Sequence, residues 1–256
     1  MDMPVNRFKA ALARGEQQIG LWSSIGTGAV AEALGYCGFD WILVDTEHSP
    51  SELGDVFNQL QGLAPGTATP IVRPAWNDAV LLKRFLDIGA QSFLIPWVQD
   101  ADEAARAVRA VRYPPKGLRG VAINHRANHF GRVADYLQRA NEQICLLVQV
   151  ETLAAAAEVE AIAAVDGVDG IFIGPSDLAA DMGHLGNNRH PDVQDAISVI
   201  LERCKTAGKP AGILTGVEED AKAFLEAGFT FVAVGADMGL LVKHADALAR
   251  RFGRGG

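Results

Sequence analysis

The sequence predicts an α/β fold, a single (β/α)8 barrel (TIM barrel) occupying residues 1–256 as one domain. Three observations predict it. Eight short apolar runs alternate with helical stretches from end to end. Several of those runs are apolar at every position, as parallel strands covered on both faces must be. The length, 256 residues, is ordinary for such a barrel. An open doubly wound sheet accommodates eight such strands less well. No linker, low-complexity tract or shift of composition divides the chain.

The elements follow in order. Asn6-Arg7-Phe8-Lys9-Ala10-Ala11-Leu12 is a charged amphipathic helix rather than a secretory signal. A strand is expected at 19–23, then a helix at 30–37 ended by Gly38. Strand 41–45 precedes helix 52–63, strand 70–73 precedes helix 78–88, and strand 92–96 precedes helix 101–111. Residues 113–132 form the longest irregular piece, and a loop of that length in a compact barrel is expected to be functional. Strand 144–151 then leads to helix 153–164, and strand 170–174 to a short helix at 178–182 and a longer one at 193–207. Strand 210–214, helix 218–227 and strand 230–234 complete the set. Gly35, Gly89, Gly208 and Gly228 punctuate helix ends.

Composition narrows the function classes. Apolar residues make up 49 %, enough for a large core. A net charge of −8 leaves no basic surface for nucleic acid or anionic lipid. Cys37, Cys145 and Cys204 are odd in number and widely spaced, so they read as reduced thiols in a cytoplasmic protein. No apolar run reaches transmembrane length, so no membrane partner is expected. A small-molecule substrate remains.

In such a barrel, chemistry gathers where strands end and the following loops begin. The polar and aromatic residues there are Trp22, Asp45, His48, Arg73, Gln149, Glu151 and Asp177. Glu151 ends one strand, and Asp177 follows the next by a few residues, so the two carboxylates come from neighbouring strands and are able to share one divalent cation. Each alone is equally a helix cap. Two carboxylates without nearby His or Cys suit Mg²⁺ or Mn²⁺ and disfavour zinc.

Asp45 and His48 lie three positions apart just after a strand. An aspartate that fixes an imidazole tautomer makes the ring a competent general base near neutral pH; the alternative is an ordinary surface histidine. Arg73 ends an apolar strand, so its guanidinium needs a carboxylate, a carbonyl oxygen or a developing enolate as partner. A structural ion pair, to Asp87 for example, is the plain alternative. The lysines fall in helices, turns or strand beginnings, which argues against Schiff-base chemistry. Gly26-Thr27-Gly28-Ala29-Val30-Ala31, with Asp45 further on, fits the glycine pattern of an NAD-dependent oxidoreductase, but that reading leaves Glu151, Asp177 and Arg73 without roles.

Several motifs together resemble one family. They are Gly38-Phe39-Asp40-Trp41, Val44-Asp45-Thr46-Glu47-His48, Val72-Arg73-Pro74, Leu86-Asp87-Ile88-Gly89-Ala90 and Arg112-Tyr113-Pro114-Pro115. Further on come Leu147-Val148-Gln149-Val150-Glu151, Gly167-Val168-Asp169-Gly170 and Ile173-Gly174-Pro175-Ser176-Asp177-Leu178. From about residue 6 to residue 252 the chain resembles the metal-dependent (class II) pyruvate aldolases of the HpcH/HpaI type. The resemblance implies a homohexamer, a trimer of dimers, with the C-terminal helix exchanged between subunits. It implies metal binding by Glu151 and Asp177, with Mg²⁺ foremost and Mn²⁺ or Co²⁺ as alternatives. It also implies an acid–base dyad of His48 with Asp45, and Arg73 on the pyruvyl oxygen. Gln149, Gly174, Pro175 and Ser176 match the lining of a pyruvate pocket, and Trp22 and Leu214 match positions near bound substrate. Where family members often read Asp-Gly-Glu-His-Ala-Pro, this chain has Asp45-Thr46-Glu47-His48-Ser49-Pro50, which keeps the dyad residues.

Asn124-His125-Arg126-Ala127-Asn128-His129-Phe130-Gly131 is similar to the branch that cleaves 2-dehydro-3-deoxy-D-glucarate (5-keto-4-deoxy-D-glucarate) to pyruvate and tartronate semialdehyde. His125 and Arg126 are then expected to bind the acceptor aldehyde, although His129 stands where an apolar residue is expected. The branches cleaving 4-hydroxy-2-oxoheptanedioate and 2-keto-3-deoxy-L-rhamnonate are the alternatives.

Overall fold

The computed structural model describes residues 1–254. Eight parallel strands close into a barrel in chain order. They are β1 (Gln18–Ser23), β2 (Trp41–Asp45), β3 (Thr69–Arg73), β4 (Ser92–Ile95), β5 (Cys145–Val150), β6 (Gly170–Ile173), β7 (Ala211–Leu214) and β8 (Phe231–Ala236). Every strand lies within two residues of its expected bounds. The α-helices among the described residues are α1 (Arg7–Ala13), α2 (Gly28–Gly35), α3 (Leu53–Leu63), α4 (Ala79–Asp87), α5 (Ala101–Val111), α6 (Tyr136–Arg139), α7 (Leu153–Ala157), α8 (Val159–Ala163), α9 (Pro175–Asp181), α10 (Pro191–Thr206), α11 (Glu218–Ala227) and α12 (Asp237–Arg251). One helix was expected over 153–164. It is broken at Glu158, which leaves helical geometry and gives its amide to the Ala155 carbonyl.

The period of two along each strand sorts the side chains. Ile42, Val44, Val72, Leu146, Val148 and Val150 point outward and pack against the helices. Trp41, Leu43, Ile71, Cys145, Leu147 and Phe172 point inward and fill the barrel. Continuing the inward rows upward reaches Asp45, Arg73, Gln149, Glu151 and Gly174. The alternation that builds the core therefore also aims the polar groups into the mouth.

The other end is closed by α1. Phe8 is fully buried, edge-on to Trp41 and Phe231 at 6.1 and 5.7 Å. Such a ring is worth about 3–5 kcal/mol against alanine. Asn6 caps this helix, accepting the Lys9 amide at 3.0 Å, and ties it down by donating to Ser92 Oγ at 2.9 Å.

Two features differ in character from the rest. Residues 113–132 are indeed irregular, and His129, Phe130 and Gly131 run in succession through left-handed backbone. The C-terminal helix α12 makes its main contacts with β1 and β8, and it leaves Met238, Leu241, Val242 and Leu248 exposed. Among the described residues, no helix is long and apolar enough to cross a membrane.

Candidate active site

The mouth of the barrel holds a cavity of about 490 Å³. Trp22, His48, Arg73, Gln149, Gly174, Pro175, Ser176, Asp177 and Leu214 line it, so most of the residues singled out from sequence converge there. Asp45 and Glu151 are buried immediately behind that lining.

Strand register sets the first contact. Asp45 ends β2 and Arg73 ends β3, and the two are direct partners across the ladder. Arg73 Nε donates to Asp45 Oδ1 at 2.9 Å and Nη2 donates to Oδ2 at 2.7 Å. The remaining Nη1 lies 2.8 Å from Glu47 Oε2, a charge contact without hydrogen-bond alignment. The guanidinium also lies 5.2 Å from the centroid of the Trp22 ring. Burial pushes the Asp45 carboxyl up, but Arg73 and the Glu47 and His48 amides outweigh it and leave it below its ordinary value.

This arrangement corrects the expected Asp45–His48 dyad. Both Asp45 oxygens serve Arg73, and only the His48 backbone amide reaches Asp45, at 3.5 Å. The exposed His48 ring lines the cavity, without a side-chain partner in this chain among the described residues. The alternative partner suggested for Arg73, Asp87, instead pairs with Arg119 at 2.9 Å.

Glu151 sits among neutral donors. Gln149 Nε2 donates to its Oε2, and the Trp97 amide donates to Oε1 at 2.8 Å. Trp97 adopts φ 55°, a left-handed conformation that costs a non-glycine residue on the order of 1–3 kcal/mol. That backbone turn points its N–H at the carboxylate, a role no sequence signal announced. Burial pushes the Glu151 carboxyl up, Gln149 and Trp97 pull it back, and the Asp177 and Glu47 charges add to the rise, leaving it at about 7. Glu47 is raised as well, first by burial and then by Asp45 and Asp177 against the pull of Arg73. Gln149 Oε1 is buried without a partner. Three acids close enough for their charges to raise the pKa of Glu47 and Glu151, with an orphaned carbonyl oxygen beside Glu151, are the kinds of ligand a divalent cation takes. Gly174 makes the packing possible, since a Cβ there would lie 2.5 Å from Glu151 Oε2 and 2.8 Å from its Cβ.

Two expectations fail on topology. His125 and Arg126 follow a helix and precede a strand, and such loops lie at the end of the barrel opposite its mouth. Arg126 there donates to the carbonyls of Ile88 and Leu60 at 2.7 and 3.2 Å, near the C-termini of α4 and α3. His125 is buried edge-on to Tyr136 at 5.3 Å, and burial lowers its pKa. Neither lines this chain's cavity. The glycine pattern near residue 26 also has a packing cause. Gly28 lets α2 approach α3, where a Cβ would meet the Asn58 carbonyl at 3.0 Å, and Asp45 is taken by Arg73. The dinucleotide reading has no support left.

Sequence reasoning missed the outer wall of the cavity. Asn188 and Arg189 come from the segment joining α9 to α10 and Gln194 from the first turns of α10, and Arg189 is held by Asp220 through contacts of 2.9 and 2.6 Å.

A closed parallel barrel with carboxylates and a tethered arginine gathered at its strand ends has the architecture of a barrel enzyme whose site is the mouth. The chain belongs to the HpcH/HpaI aldolase/citrate lyase family, whose profile matches residues 18–244. It is 53 % identical over 252 residues to a pyruvate aldolase of Rhizobium etli, covering 98 % of this chain and 99 % of that one. It is 53 % identical to a 4-hydroxy-2-oxo-heptane-1,7-dioate aldolase of Shigella sonnei, covering 97 % and 95 %. It is 51 % identical to a 5-keto-4-deoxy-D-glucarate aldolase of an Enterobacter strain, covering 98 % of each. A crystal structure of a family protein from Burkholderia cenocepacia superposes with a TM-score of 0.94 at 42 % identity, covering 97 % and 99 %. The chain is therefore a carbon–carbon lyase of the pyruvate-aldolase type.

Proposed function

We propose that this chain reversibly cleaves a 4-hydroxy-2-oxo sugar acid of the 2-dehydro-3-deoxy-D-glucarate type into pyruvate and an aldehyde such as tartronate semialdehyde. The observation that carries the reading is the state of Glu151. It is a buried carboxyl close to Asp177 and Glu47 whose hydrogen bonds come from the neutral Gln149 amide and the Trp97 N–H, with no cationic side chain paired to it among the described residues. Glu151 and Asp177 would hold a divalent cation, Mg²⁺ foremost. When bound, that cation supplies Lewis-acid charge to the oxygens of a 2-oxo acid.

The chain's own residues divide the remaining work. Arg73 presents a fixed positive charge to the C2 oxygen as the C3–C4 bond breaks. Its tethers to Asp45 and Glu47 hold the guanidinium in place before charge develops. A preorganised donor of that kind is worth about 3 kcal/mol of barrier. His48 accepts the C4 hydroxyl proton from the open side of the cavity. Trp22 and Leu214 cover the apolar edge of the substrate.

A second substrate, 4-hydroxy-2-oxoheptanedioate, is favoured by the 53 % identity to its named aldolase and by the loss of His125 and Arg126 from the cavity. Pyruvate release from a panel of 4-hydroxy-2-oxo acids, with and without Mg²⁺ after chelation, tests both. The ratio of kcat/KM values chooses between the substrates. Full activity in the stripped protein removes the cation, and no pyruvate from any acid removes the lyase.

The homohexamer with exchanged α12 helices belongs to the same reading, supported by the exposed apolar face of that helix. A cytoplasmic location is supported by three unpaired cysteines, two of them buried.

A further inference from the structure

We propose that His184, His190 and Asp192 form a second metal site, chemically distinct from the acids of the barrel mouth and selective for a zinc-class cation. His184 and His190 lie on the segment between α9 and α10, and Asp192 stands in the first turn of α10. The two imidazoles stack face to face, 3.6 Å between centroids and 13° between planes. His184 Nε2 lies 3.4 Å from Asp192 Oδ2, and His190 Nδ1 lies 3.7 Å from the same oxygen. Ligands at about 2.0–2.1 Å around a tetrahedral Zn²⁺ stand roughly 3.3 Å apart. The two spans to Asp192 are close to that, and the stacked rings must swing out of parallel for both nitrogen lone pairs to meet one ion. Among the described residues this is the group whose three ligand atoms all fall within 4.8 Å of one another.

Hydrogen bonding accounts for only part of the cluster. His190 Nδ1 caps α10 by accepting the Asp192 amide at 3.3 Å, so it is unprotonated, and a cation takes that one lone pair over from the amide. No lysine or arginine pairs with Asp192 among the described residues, and the neighbouring Arg189 is committed to Asp220. The backbone holds the donors in place independently. The His184 amide donates to Ala179 O at 2.7 Å, Asn187 to His184 O at 2.8 Å, and His190 to Asn187 O at 3.1 Å. All three side chains keep solvent access, with exposures of 25, 32 and 64 %, so a cation can enter and keep a water.

The ligand set selects the ion. Two imidazoles and one carboxylate suit Zn²⁺, Co²⁺ or Ni²⁺, whereas Mg²⁺ prefers an all-oxygen shell. Asn188, Arg189 and Gln194, from the same segment and helix, line the active-site cavity. A cation here therefore fixes the rim that bears those residues.

The test uses Co²⁺ as a visible probe in chelator-stripped Glu151→Gln protein, which weakens the mouth site. One equivalent of Co²⁺ is expected to give the absorption of a nitrogen-ligated, low-coordinate ion, displaced by Zn²⁺ and unaffected by excess Mg²⁺. His184→Ala and His190→Ala should each weaken it beyond the roughly 10–100-fold typical of losing only a ligand's outer partner. His184→Gln serves if the alanine variant loses its native circular dichroism. In the unsubstituted chain, Zn²⁺ should shift the side-chain ¹⁵N resonances of both histidines. No Co²⁺ uptake at millimolar concentration, or an absorption that survives either substitution, overturns the site.

Discussion

Arg73 grips both carboxylate oxygens of Asp45, and the two residues stand level at the ends of adjacent strands. The pair is almost completely buried, with side-chain exposures of 8 and 2 %. On the proposed function, the pair holds the guanidinium steady under the substrate. Removing one partner of such a pair leaves an uncompensated buried charge, at a cost of about 3–5 kcal/mol. Asp45→Asn is accordingly expected to lower Tm on the order of 10 °C and to cut kcat/KM sharply. A variant of native stability and near-native kcat/KM would show that the Arg73 guanidinium does not depend on Asp45. Because the Asp45 carboxyl titrates below its ordinary value in the folded state, its contribution is complete above that ordinary value. It is lost as pH falls through the lowered one.

The contrast between Asp45 and His48 shows where a single sequence stops speaking. Proximity along the chain suggested their pairing, but the partner of a strand-end residue is set by register with the next strand, which the sequence does not display. The strands themselves were legible because unbroken apolar runs have one comfortable home, a parallel sheet covered on both sides. The convergence of Trp22, Arg73, Gln149 and Asp177 followed from strand ends alone. His125 and Arg126 were misplaced although the signal was present, since a loop between helix and strand belongs to the far end of the barrel. Trp97 had no signal, because nothing in its side chain demands a left-handed backbone.

Glu151 ties folding to pH in the metal-free protein. Its carboxyl titrates at about 7 when folded, against an ordinary 4.5. Between those values the folded chain keeps a proton that the unfolded chain has released. Stability therefore falls as pH rises through that window, by roughly 3 kcal/mol in all. Glu151→Gln should flatten this slope in thermal melts of stripped protein. Saturating Mg²⁺ should offset it too, with an affinity that drops about tenfold per pH unit below 7. Identical slopes in the parent and Glu151→Gln proteins would remove the proton from Glu151.

Gly174 is the tightest point of the site. An alanine methyl would press on Glu151 Oε2 and Cβ and lie 3.0 Å from Gln149 Nε2. Its backbone φ of −89° is open to any residue, so the damage should fall on the carboxylate rather than on the turn. Gly174→Ala is expected to weaken Mg²⁺ binding about 10–100-fold with a small change in Tm. Calorimetric titration with Mg²⁺ checks it, and unchanged affinity would mean that Glu151 moves aside freely.

His48 separates two reactions of one enolate. Aldol cleavage requires a base for the C4 hydroxyl proton, a contribution of roughly 10²–10⁴. Decarboxylation of oxaloacetate passes through the same pyruvate enolate with no such proton to remove. His48→Ala should therefore lose cleavage by that factor while keeping most oxaloacetate decarboxylation. Equal losses in both assays would place His48 in substrate binding instead.

The last helix carries its apolar side chains into solvent. Leu241 is 57 % exposed and Leu248 54 %, and neither has a partner in the buried core of its own barrel. In the proposed exchange, a second copy covers this apolar face, left by a helix whose main contacts are with β1 and β8. Leu241→Asp would place a carboxylate in that contact, and burying it unpaired costs several kcal/mol. Light scattering should then show the assembly falling to smaller species while circular dichroism keeps the barrel's signature. A parent chain that is already monomeric at micromolar concentration would leave α12 uncovered and end the exchange proposal.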